Sequence, residues 1–138
     1  MNNKNILRSI IAIVIGLIGG MCANMGIVTL SPMIIAPPPH VDVTTVEGLQ
    51  SNIHLLQPKH YLMPFLAHAL GTFVGAWLAI KIANSNEKRI ALFFGIFFLL
   101  GGISASAMIP APWWFNAADL ILAYIPMSLL AWYVGAKK

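Results

Sequence analysis

Apolar positions gather in four long runs, at about residues 6–30, 61–83, 90–109 and 117–136, separated by shorter polar or proline-rich segments. Each run is close to the roughly 20 residues that a helix rising 1.5 Å per residue needs to cross about 30 Å of hydrocarbon. None of the four carries the charged face that a helix turned toward water would need. The pattern predicts an all-α integral membrane protein: one membrane domain over residues 1–138, an antiparallel bundle of four transmembrane helices.

The segments between the runs carry their own signals. Residues 31–60 form a first loop in which Pro37, Pro38 and Pro39 cannot be helical. Within it, residues 44–56 predict a short amphipathic helix. Thr44 as N-cap with Glu47 three residues on makes a capping-box pattern, and Val46, Leu49, Ile53 and Leu56 share one face. Pro58 ends it. Such a helix lies on a membrane surface or closes the mouth of a bundle. The link 84–89 is short, which makes the second and third helices neighbours. Pro110 and Pro112 stop the third helix. Trp113, Trp114 and Phe115 then supply an interfacial aromatic belt, with Tyr61 at the same level and Trp132 and Tyr133 at the other end. Pro126 sits mid-run in the fourth helix, where it frees the Leu122 carbonyl and predicts a kink beside Tyr124 and Ser128.

Composition agrees with lipid as the solvent. The chain is 59% hydrophobic with only 9% charged residues, where soluble domains have about 25%. Its mean hydropathy is +0.81. The net charge of +4 suggests a polyanion until the basic residues are placed. Lys4, Arg8, Lys81, Lys88, Arg89, Lys137 and Lys138 fall on one side of the predicted spans, and Lys59 alone on the other. This bias puts both termini in the cytoplasm of a bacterial inner membrane and the first loop outside. The partner implied is the lipid bilayer with its anionic head groups, and no nucleic acid. The first run continues past Cys22 to Leu30, longer than a signal-peptide core, so it predicts a retained anchor. A single cysteine allows no intrachain disulfide.

Two sets of residues carry candidate function. Ala67, Gly71, Gly75 and Ala79 stand four apart on the second helix. Gly16 and Gly20 on the first, and Gly101 and Ala105 on the third, make similar pairs. Small residues at that spacing let backbones approach in lipid. They predict packing within the bundle or a seam for a homo-oligomer or a larger membrane partner. The second set is polar. Asn24, His68, Thr72, Ser104, Ser106 and Asp119 all fall within roughly ten ångströms of the predicted outer surface. If their faces converge they form an outward-facing pocket in which His68 and Asp119 pair; alternatively Asp119 serves only the positive end of its helix. The stretch from Gly19 to Asn24 also lines up with that from Gly101 to Ser106, as a parallel duplication of two helices would.

His40, Asp42, His54 and His60 are separated too widely for a zinc-type pair, so no metal is assigned. The sequence contains no nucleophile-elbow, zincin, P-loop or dinucleotide pattern, and neither a catalytic residue nor a cofactor is assigned. Ala36-Pro37-Pro38-Pro39, Ala67-His68-Ala69-Leu70-Gly71 and Ile109-Pro110-Ala111-Pro112-Trp113-Trp114-Phe115 together resemble small four-span bacterial inner-membrane proteins. That resemblance implies a localisation and no activity. The leading expectation is a non-enzymatic assembly or binding subunit that packs through its small-residue faces. A small transporter or channel using the polar pocket is the alternative, and a membrane enzyme with His68 as acid–base on a lipid-soluble substrate is a third reading.

Overall fold

The computed structural model describes residues 3–83 and 86–136, without the side chain of Lys4. The Lys4 side chain, Asn84, Ser85, Lys137 and Lys138, invoked above, lie outside the described residues. The described residues are helical, without strands: α1 (Asn3–Ile34), α2 (Val46–Asn52), α3 (Leu62–Ile82), α4 (Glu87–Met108), α5 (Trp113–Leu122) and α6 (Ile125–Gly135). Single 3₁₀ turns at Ile53–Leu55 and Pro58–Tyr61 join α2 to α3. Four segments are long and apolar enough to cross a membrane: Asn5–Ile34, Pro58–Ile82, Glu87–Met108 and Trp113–Gly135.

Small residues decide how these helices meet. α3 is central, with α1 along one side and α4, α5 and α6 around the rest. A Cβ on Gly75 would lie 2.9 Å from the Gly16 carbonyl oxygen, and one on Gly71 would lie 3.0 Å from that of Gly20. Ala12, Ala67 and Ala79 are fully buried along the same seam. The gain is dispersion between backbones, which larger side chains would hold apart. Gly101 has no part in this, since a Cβ there would meet nothing within 4 Å. Its neighbour Gly102 is the buried one.

Four boundaries differ from the sequence expectation. α1 runs on to Ile34 with Pro32 inside its last turn. A proline there has no N–H to give the Val28 carbonyl, and the helix continues past it at the loss of that one bond. The N-cap of α2 is Thr45 rather than Thr44, because Thr45 accepts from the Gly48 amide while Thr44 is bound to the Asp42 carboxylate. α2 ends at Asn52, and the 3₁₀ turn carries the chain to Leu55. The fourth run is two helices, broken at Ala123 and Tyr124, with Pro126 in the first turn of α6. There its missing N–H costs nothing. Tyr61, expected in an exposed belt, is 6% exposed because Trp114 and Phe115 cover it at ring distances of 5.4 and 5.0 Å.

At the end where α3 finishes, Arg8 donates from Nε to the Ile82 carbonyl at 2.6 Å. A cation there suits the negative end of the helix dipole. Lys81 sits 5.8 Å from the Trp77 ring and Lys88 5.4 Å from Trp132. Trp132, near the end of α6, thus lies beside the start of α4.

Candidate functional site

The opposite end holds a cavity of about 560 Å³. The end of α1 supplies Met25, Val28, Thr29 and Pro32. The segment between α1 and α3 supplies Leu49, Ile53, Leu56, His60 and Tyr61. α3 contributes Pro64 and His68, α4 contributes Gly102, Ala105 and Ser106, with Ile109 just past its end, and α5 contributes Phe115, Asn116 and Asp119. The walls are mainly aliphatic and aromatic, and the volume is within the roughly 300–1,000 Å³ of small-molecule sites.

The loop over this cavity is tied down by backbone acceptors. Gln50 donates from Nε2 to the Met108 carbonyl at 2.6 Å, which anchors α2 to the exposed end of α4. His60 Nδ1 accepts from the Gln57 amide at 2.9 Å, so its Nε2 carries the proton and donates to Ala36 at 3.1 Å. Asp42 organises the start of α2 by accepting from the Thr44 hydroxyl and amide and the Thr45 hydroxyl. Those bonds, the Thr44 hydroxyl first, hold the Asp42 carboxyl below its ordinary range. Gly48 is needed here, since a Cβ would come within 2.7 Å of the Asp42 carbonyl oxygen. Among the described residues, no three His, Cys, Asp or Glu side chains come together in a group able to hold a metal ion.

His68 and Asp119 meet at the cavity floor. His68 Nδ1 lies 2.9 and 3.0 Å from the two carboxylate oxygens. Tyr124 donates its hydroxyl to Oδ2 at 2.8 Å and stacks on the imidazole at 5.8 Å between ring centroids, 29° from parallel. Asp119 is 4% exposed and Tyr124 2% exposed, whereas the His68 side chain keeps 26%. The imidazole therefore faces the cavity and the carboxylate stands behind it. A carboxylate only accepts, so Nδ1 carries a proton toward it, and in the neutral ring Nε2 is then a lone-pair acceptor. Nε2 makes no hydrogen bond within the described residues. Thr72 supports the same turn by donating to the His68 carbonyl at 2.8 Å.

Three of the six candidate pocket residues line the cavity: His68, Ser106 and Asp119. Thr72 is buried one turn away, with its hydroxyl used on the backbone. Ser104 is exposed and donates to Leu100, and Asn24 packs against Gly71, with its Cβ 2.9 Å from where a Gly71 Cβ would sit. Asp119 is not a first-turn residue, because α5 starts at Trp113, immediately after Pro112. The helix-terminus role is thereby excluded, and burial beside His68 takes its place. Sequence reasoning missed Tyr124 as the third member. The signal was Pro126, which ends α5 early and turns the tyrosine inward; Gly102 is the residue that gives its hydroxyl room. Comparison of the chain with known protein families, curated proteins and solved structures gave no match.

Proposed function

We propose that this chain is an integral protein of a bacterial inner membrane, an antiparallel four-span bundle with cytoplasmic termini. It binds a lipid-soluble molecule in the extracytoplasmic cavity at His68 and Asp119. The observation that carries this reading is a cavity of about 560 Å³ whose mainly apolar walls converge on one imidazole–carboxylate–phenol cluster. Support for the orientation comes from Arg8, Lys81, Lys88 and Arg89, which sit at the end away from the cavity, and Lys59, which sits at the cavity end.

Binding is favoured over transport. Below Thr72 the buried polar side chains among the described residues reduce to Ser128, whose hydroxyl donates to the Ile125 carbonyl. That leaves no polar path to the basic end. Assembly through the Gly71 stripe is disfavoured because α1 already occupies it. A second copy or a larger membrane partner would have to meet another face. An enzyme with His68 as acid–base is the second reading, favoured by an open Nε2 on an imidazole backed by a carboxylate.

The test is saturable binding of a fluorescent long-chain alcohol to the protein in lipid nanodiscs. Ser106→Trp and Ala105→Trp place an indole in the cavity and should each weaken binding about ten-fold or more. Saturable binding that both variants leave intact would place the ligand elsewhere and end the proposal.

A further inference from the structure

Resting on that reading, we infer that the cavity selects an uncharged lipophile bearing one hydrogen-bond donor, a long-chain or prenyl alcohol, and rejects its phosphorylated form. Among the described residues, no lysine or arginine lines the cavity. The charge at its polar end is the Asp119 carboxylate, which would repel a phosphate at close range. The Asp119 oxygens already accept from His68 and Tyr124. Of the pair, His68 Nε2 is the atom left open to a ligand.

With Nδ1–H committed to Asp119, the neutral imidazole offers a lone pair at Nε2 and calls for a donor. A hydroxyl satisfies it. An ether of the same chain leaves Nε2 buried and unpaired, which a polar atom in an apolar site does not tolerate well. The remaining wall is mainly apolar and suits hydrocarbon. A volume of about 560 Å³ has room for roughly eighteen water-sized groups, close to the heavy atoms of tetradecanol with a little to spare.

The experiment is a displacement series on the whole chain in nanodiscs, with the fluorescent alcohol as probe and tetradecanol, its methyl ether and tetradecyl phosphate as competitors. Running the series on His68→Ala as well lets differences in partition into lipid cancel. The expected result is that the wild type prefers alcohol to ether by about ten-fold, shows no displacement by the phosphate, and loses the alcohol–ether preference in His68→Ala. Equal competition by alcohol and ether in the wild type overturns the inference while leaving the cavity as a lipophile site. Stronger competition by the phosphate overturns it too. Loss of probe binding in the tryptophan variants is a separate readout, so failure of the donor rule and failure of the cavity reading are told apart.

Discussion

Gly101 and Gly102 are adjacent on α4, yet a methyl group would be felt very differently at the two. At Gly101 it would meet open space, while at Gly102 it would collide with the Tyr124 phenol. Gly101→Ala should therefore be neutral or slightly stabilising, since alanine is the better helix former by up to about 1 kcal/mol. Gly102→Ala should cost about 1–3 kcal/mol through overpacking and weaken probe binding by displacing Tyr124 from Asp119. Thermal unfolding midpoints in a mild detergent, read beside the binding assay, check both. Tyr124→Phe is milder, removing one donor to a buried carboxylate, for a loss of about 1 kcal/mol. An unchanged midpoint for Tyr124→Phe would mean the phenol contributes little to holding Asp119.

The α1–α3 pair and the loop before α3 are held by different kinds of contact. α1 is held along a seam of small residues, and most of its large apolar side chains, from Ile6 to Ile34, are exposed. Gly71→Leu should push α1 off α3 and destabilise the protein by about 1–3 kcal/mol; a midpoint equal to wild type would show that the seam tolerates bulk. The loop is governed by electrostatics instead. The folded Asp42 carboxyl is held below its ordinary range, so its contribution is present at pH above that range. It is lost as pH falls through the lowered folded value. Hydrogen exchange of the Thr44 and Gly48 amides should accelerate in acid, relative to the intrinsic rate. In Asp42→Ala it should be fast already at neutral pH. Exchange that is indifferent to both changes would mean the cluster does not hold the loop.

Over the whole molecule, the proposed topology makes a labelling prediction. In right-side-out cells a cysteine at Lys59 should react with a membrane-impermeant maleimide in a Cys22→Ser background. One at Lys88 should react only after permeabilisation. The reverse pattern would place the cavity on the cytoplasmic side. This scale is also where sequence and structure divide. The helical spans, the small-residue stripe of α3 and the candidates His68 and Asp119 were legible because each follows from spacing and polarity along a single helix. The break at Ala123 and Tyr124 was only half legible: Pro126 marked its neighbourhood, but the rotation that carries the Tyr124 hydroxyl to Asp119 depends on α4 leaving room at Gly102.

By itself the sequence determined that the chain is helical and that four of its segments are long and apolar enough to cross a membrane. These are sums over local residues and survive any arrangement of the helices. Only the tertiary structure decided which polar groups meet, that Thr72, Ser104 and Asn24 are used on the backbone or in packing, and that a cavity lies above His68. Pairings between residues as distant as His68 and Asp119 depend on helix rotation and depth. A rotation of one residue's worth, about 100°, leaves hydropathy unchanged and takes a side chain from the cavity to the outer face of the bundle.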